Sequence, residues 1–289
     1  MKGIFSALLV PFDENGSLDE NGLRDIIQYN INIQGVDGLY VGGSTGENFM
    51  LSKDSKMKIF KIVYEEVNNQ VPLIAQIGGL NFYESIELAK YVTYLGYNYI
   101  SAITPFYYKF TFEEIKSYYQ KISQEINNNI IIYSIPMMTG VDITISEFSQ
   151  LLNIKNVVGI KYTSNDLFLL EQIRTLFPKK LIYSGYDEVL LPALTLGVDG
   201  AIGSTYNINA IRAKYIYHCV ENGDLNKARE LQSECNSIIS CLLKDSLFQS
   251  LKEILKQKGV NAGVCHPPFL PINIDRCNEL KKMNEKYLP

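Results

Sequence analysis

The 289-residue sequence has no tryptophan and only two histidines, His218 and His266. So few imidazoles exclude a His-rich metal centre and leave a Ser-His-Asp triad few ways to assemble. His218 stands in the apolar stretch YIYHCV, which reads as a buried helix. Cysteine is scarce too: Cys219, Cys235, Cys241, Cys265 and Cys277 are an odd number with no CxxC pair. They read as buried or free thiols in a reducing cytoplasm, with a reactive cysteine as the alternative. Basic residues are not in excess, 27 Lys and Arg against 31 Asp and Glu for a net charge of −4, and no Lys/Arg stripe marks a nucleic-acid groove. Nor is any hydrophobic run long enough to span a bilayer. The opening MKGIFSALLVPFDENG is too short and turns acidic at once, so it reads as a first strand and not a signal peptide. No membrane partner is expected, and a cytoplasmic location is.

What is present is the make-up of a globular chain: 46% hydrophobic and 20% charged residues, with 20 Tyr and 13 Phe. That excludes a disordered or fibrous protein. A chain of this length buries roughly three quarters of its unfolded surface and needs no metal or disulfide to stay folded.

Short apolar runs alternate with amphipathic stretches: 4–10, 38–42, 72–77, 99–104, 129–134, 157–162, 181–185 and 200–204. Most are rich in β-branched or aromatic residues, as parallel strands buried on both faces are. Between them, Thr111 with Glu114 and Thr144 with Glu147 have the spacing of capping boxes, and Gly96 and Gly197 stop helices. Strand–helix alternation of this kind folds either as an open doubly wound sheet or as a closed (β/α)₈ barrel. About eight repeats in roughly 220 residues favour the TIM barrel. The VPFDENG turn after the first strand also lacks the G-x-G-x-x-G of a doubly wound dinucleotide site. Residues 1–222 are therefore expected to form an α/β barrel carrying the active site. Residues 223–289 are expected to add a C-terminal helical extension, with 224–258 helical, 265–272 a Pro-rich loop and 274–287 a last helix.

Lys161 is unusual among the lysines because it ends an apolar strand, VVGIKYT. Alternation puts Gly159, Lys161 and Thr163 on one face, at the rim where parallel barrels carry their active sites. Desolvation there lowers the amine pKa and makes a nucleophile toward carbonyls. A lysine reaching out to solvent is the alternative. Tyr133 ends the preceding strand beside it and suits proton transfer to and from a substrate hydroxyl, or simple packing. The loop Gly42-Gly43-Ser44-Thr45-Gly46-Glu47 suits an anion, and without a following Lys a carboxylate fits better than a polyphosphate. A tight turn would use the same residues. Asp187 and Glu188 at the seventh strand end suit a polyhydroxylated substrate, or merely open the next helix. Gly203 and Ser204 offer a second glycine-and-hydroxyl rim, and Tyr107 and Tyr108 follow the fourth strand. Together these groups suit Schiff-base chemistry on a keto acid.

GGSTGE (42–47), TPFYY (104–108), IYSIPMMTGV (132–141), GIKYTS (159–164) and GYDE (185–188) resemble the pyruvate-dependent class I aldolases. That family holds N-acetylneuraminate lyase and dihydrodipicolinate synthase, and the resemblance runs in order from the first strand to the C-terminal helices. It implies a homotetramer, Lys161 as the Schiff-base lysine and Tyr133 as the catalytic phenol. It also implies Ser44 and Thr45 on the keto-acid carboxylate, Thr163 positioning the substrate, and Tyr107 lent to a neighbouring subunit. No metal or organic cofactor is implied. Met138 stands where the synthase branch carries the Arg that grips a second carboxylate. GYDE followed by GAIGST is similar to the lyase branch, which implies Gly185, Asp187, Glu188, Gly203 and Ser204 as the sugar-binding set. The substrates expected on that match are sialic acid in one direction and pyruvate with N-acetylmannosamine in the other. A dihydrodipicolinate synthase, a 2-keto-3-deoxy sugar acid aldolase and a non-catalytic barrel that binds a sugar acid are the rivals. Ser134 replaces an Asn common in both branches and is expected to alter hydrogen bonding without abolishing activity.

Overall fold

The computed structural model describes residues 1–288. Each of the eight apolar runs forms a strand: β1 (Gly3–Ala7), β2 (Gly38–Val41), β3 (Leu73–Gln76), β4 (Tyr99–Ile103), β5 (Ile130–Ser134), β6 (Val157–Tyr162), β7 (Leu181–Ser184) and β8 (Gly200–Gly203). They pair in parallel in chain order, and β8 returns to β1 with Gly3 opposite Gly200, closing a barrel. Parallel strands need a crossover, and here helices supply it. Glu20–Gln28 follows β1, Lys53–Val67 follows β2, Phe82–Leu95 follows β3, and Phe112–Glu125 follows β4. Ile145–Leu152, Leu167–Leu176, Leu190–Thr195 and Tyr206–Glu221 follow the last four strands.

Local chemistry sets these helix boundaries. Thr111 and Thr144 each accept from the backbone N–H three residues on, while Glu114 and Glu147 reach back to the cap, so both capping boxes form. Gly96 at φ 104 and Gly197 at φ 86 take the left-handed conformation that ends a helix cheaply only in glycine.

The core has two layers. Between barrel and helices lies a large shell of aliphatic and aromatic side chains. Inside the barrel Phe5, Tyr40, Ile74, Ile131, Tyr133, Tyr183 and Ile202 fill the space. The inner layer is fitted large against small. A Cβ on Gly38 would lie 2.1 Å from the Phe5 ring, so glycine on β2 is what admits phenylalanine on β1.

After the barrel the chain continues as helices Leu225–Leu242, Leu247–Gln257 and Ile274–Tyr287, with the Pro-rich segment 265–272 as coil. The 224–258 stretch is thus two helices, parted where Asp245 and Ser246 favour a turn and a new start. The reading of His218 as buried needs correction. It is helical, but its side chain is 60% exposed, 3.4 Å from Glu221. The helix packs through Ile208, Ala213 and Ile216, and His218 lies two residues on, roughly 200° around the axis. Among the described residues no helix is long and apolar enough to cross a membrane.

Replacing Gly38 with Ala forces a methyl group into the Phe5 ring. The expected cost is about 1–3 kcal/mol, read as a lower urea midpoint. An unchanged midpoint would show that the barrel interior has slack there.

Candidate active site

Because all strands run in parallel, their C-terminal ends share one rim. The β5–β6 register sets Tyr133 beside Lys161. Lys161 is only 5% exposed, and its Nζ stands 4.3 Å from the centroid of the Tyr40 ring and 4.2 Å from that of Tyr133. The two rings meet edge to face at 6.0 Å, and the Tyr40 hydroxyl donates to Ser101 Oγ at 3.0 Å. Burial pushes the Lys161 pKa down to about 7, with the Asp187 carboxylate opposing the fall. Near neutral pH a large fraction of the amine therefore carries a free lone pair. Tyr133 is buried as well, and burial pushes its phenol up to about 12, opposed by a hydrogen bond to the Ser44 side chain. It is a protonated phenol at neutral pH. It can accept a proton only as its own moves on.

Thr163 Oγ1 and Asp187 Oδ1 at this rim are buried without a partner. Glycines leave room for both. A Cβ on Gly185 would fall 1.8 Å from Thr163 Oγ1, and one on Gly203 would fall 1.6 Å from Asp187 Oδ1. Asp187 Oδ2 accepts from the Thr205 hydroxyl at 2.6 Å and the Thr205 backbone N–H at 2.9 Å. Burial still pushes the Asp187 pKa up to about 6 against those hydrogen bonds. Glu188 follows on the same short turn, half-buried.

Ser44 and Thr45 lie on the 3₁₀ turn Ser44–Gly46 after β2, entered through Gly42 at φ 77. Thr45 Oγ1 and Ser204 Oγ are 2.7 Å apart, which ties the β2 loop to the β8 loop. Ser44 also borders a cavity of about 270 Å³ lined by Phe49, Phe106, Met138, Phe248 and Phe269.

The structure thus brings Lys161, Tyr133, Ser44, Thr45, Thr163, Gly185, Asp187, Glu188, Gly203 and Ser204 to one end of the barrel. Tyr107 is different. It is 80% exposed at φ 76, edge-on to Tyr108, and alone among the expected site residues it is fully on the surface. Two residues given no role from sequence matter here. Tyr40, on alternation in GLYVG, faces the barrel interior and forms one wall of the Lys161 site. Glu47, the last residue of the glycine-rich loop, is buried against a distant lysine. Among the described residues no three His, Cys, Asp or Glu side chains converge as a metal ion requires.

The low amine pKa is open to direct test. Only the unprotonated amine reacts with dilute acetic anhydride, so labelling of the Lys161 peptide is expected to fall as pH drops through about 7 and to level off above it. Labelling that keeps climbing toward the ordinary lysine range would contradict the desolvated site.

Comparison with known proteins supplies the family. The sequence model of the dihydrodipicolinate synthetase family matches residues 1–286. An N-acetylneuraminate lyase of Fusobacterium nucleatum is 52% identical over 288 residues, covering 100% of this chain and 99% of the relative. One of Clostridium perfringens is 51% identical over 287 residues, covering 99% and 100%. Among solved structures, CdNal of Clostridium difficile in complex with mannosamine matches at a TM-score of 0.98, with 50% identity and 99% of each chain covered. The Fusobacterium nucleatum lyase complexed with pyruvate matches at 0.96, with 51% identity, covering 100% of this chain and 98% of that one. By matches that span it from end to end, the chain belongs to the dihydrodipicolinate synthetase family.

Proposed function

We propose that this chain is an aldolase that reversibly cleaves N-acetylneuraminate to N-acetylmannosamine and pyruvate through an imine on Lys161. The observation that carries the reading is the Lys161 amine, buried between two phenol rings with its pKa near neutrality. Full-length relatives of about half identity, named as N-acetylneuraminate lyases, support the choice of substrate.

In the cleavage direction, the lone pair of Lys161 Nζ adds to the C2 ketone of the open-chain sugar acid. Loss of water with uptake of one proton from solvent then leaves a protonated imine. Ser44 and Thr45 hold the adjacent carboxylate with hydroxyl donors. Tyr133 takes the proton of the C4 hydroxyl while its own passes to Ser44, whose proton moves onto the bound carboxylate. The C3–C4 bond breaks, its electron pair moves to the imine nitrogen, and N-acetylmannosamine leaves as the aldehyde. The same relay runs back to deliver that proton to C3 of the enamine, and hydrolysis of the imine releases pyruvate and restores the amine. The imine nitrogen is the electron sink, so the side chains supply the chemistry without a cofactor. The free oxygens of Thr163 and Asp187, with Glu188 and Ser204, are acceptors and donors for the substrate's hydroxyl groups, over a rim kept open by Gly185 and Gly203. Met138, beside the Ser44 cavity, has no charge to pair a second carboxylate, which speaks against the synthase reaction.

In the same reading Tyr107 serves the site of a neighbouring copy in a homotetramer, which accounts for an aromatic left 80% exposed in a strained backbone. On this reading residues 1–222 hold the reacting groups and the chain from 223 forms a helical layer packed on the barrel, with Pro289 outside the described residues. The five free thiols suit a reducing compartment such as the cytoplasm.

The test is pyruvate release from N-acetylneuraminate. Unaltered protein is expected to release it, Lys161→Ala to release none above background, and Tyr133→Phe to be slower by roughly 10²–10⁴-fold. Wild-type-like turnover by Lys161→Ala would refute the imine. No release by the unaltered protein would reject the sialic acid reading.

A further inference from the structure

The mechanism leaves Glu47, the last residue of the glycine-rich loop, without a task. Its backbone turns left-handed at φ 58 directly after the Ser44–Gly46 turn, and its N–H donates to the Ser44 carbonyl at 3.0 Å. The carboxylate is fully buried. Its Oε1 accepts from Lys252 Nζ at 2.6 Å, and the lysine side chain is itself only 2% exposed. The other oxygen accepts from the His266 backbone N–H, also at 2.6 Å. Lys252 completes its shell by donating to the Val264 carbonyl at 2.7 Å and stands 5.1 Å from the Phe12 ring centroid. Lys252 and His266 are 205 and 219 residues from Glu47 in sequence. Both belong to the chain beyond the barrel strands.

That far end is anchored. Val264 exchanges backbone hydrogen bonds with Phe12, at 2.8 and 3.2 Å, and the His266 ring meets the Phe12 ring edge-on at 5.4 Å. The near end has little slack either. A Cβ on Gly46 would lie 3.1 Å from the Leu8 carbonyl and 3.2 Å from Val10. A buried charge is tolerated only with its partner and hydrogen bonds in place, so this pair accepts a narrow set of positions. Through the backbone, those positions fix where Ser44 and Thr45 stand.

We propose that the Glu47–Lys252 ion pair is a positioning device that holds the Ser44–Thr45 turn where it grips the keto-acid carboxylate. It makes the C-terminal helical layer part of the substrate site and not only its support. The inference rests on the assignment of Ser44 and Thr45 in the proposed reaction.

The test measures Glu47→Gln, Lys252→Met and the double variant against N-acetylneuraminate, with pyruvate as a product inhibitor. A displaced carboxylate grip weakens binding before and during reaction alike, so KM and the pyruvate inhibition constant are expected to rise roughly tenfold in each single variant. The turnover number is expected to stay within about threefold. Partial unfolding does something else: it removes active enzyme, lowering kcat and leaving KM alone. The double variant has no unpaired charge, so it serves where a single variant does not fold. Its KM is expected to match the worse single variant, because the two side chains act as one unit. Unchanged KM and pyruvate inhibition in the folded double variant would overturn the proposal, as would a fall confined to kcat. If the unaltered enzyme releases no pyruvate, the underlying reaction is wrong and this inference falls with it.

Discussion

A lysine that is 5% exposed and whose amine faces two phenol rings has lost most of the hydration that keeps it charged. The ring faces attract an ammonium, yet they replace water only in part, and burial pushes the Lys161 pKa down to about 7 against the opposing Asp187 carboxylate. This desolvation requires a barrel that is closed and filled. Were Tyr40, Tyr133 and Tyr183 not packed inside it, water would reach β6 from below and restore the ordinary lysine pKa. The small-against-large fit of the interior, with Gly38 beneath Phe5, therefore bears on reactivity as well as stability.

The same low-dielectric rim makes its polar groups costly unless something satisfies them. A buried polar atom without a partner costs about 1–3 kcal/mol, and Thr163 Oγ1 and Asp187 Oδ1 are both in that position. Glycine at 185 and 203 permits the arrangement, because any side chain there would collide with these very oxygens. A hydroxylated keto acid offers both partners. On the proposed reading, the unmet hydrogen bonds of the free protein become binding contacts in the complex.

Most of this was legible in the sequence, and the parts that were not share a cause. Strand positions are legible in the apolar runs, and the place of Lys161 at a strand end in two-residue alternation in VVGIKYT. Those are local signals, and β6 obeys them. The 60% exposure of the His218 side chain was missed because an apolar window does not say which side of a helix faces the barrel. Tyr40 was missed because its proximity to Lys161 depends on how β2 and β6 face each other across the barrel, a relation no local pattern encodes. The Glu47–Lys252 pair spans 205 residues, and each partner alone reads as an ordinary charged residue. The closeness of Gly203 to Asp187 is likewise a contact between neighbouring strand ends. Such pairings depend on three-dimensional register, so they become visible only once the barrel closes.

The central claim is that one buried lysine forms the imine, and the most direct measurement is to trap it. The protein is incubated with pyruvate and borohydride, and the modified peptide is located by mass spectrometry. A single carboxyethyl group on Lys161, with the other lysines unmodified, is the expected result. Modification spread over surface lysines, or none at all, would contradict a desolvated amine poised for carbonyl chemistry.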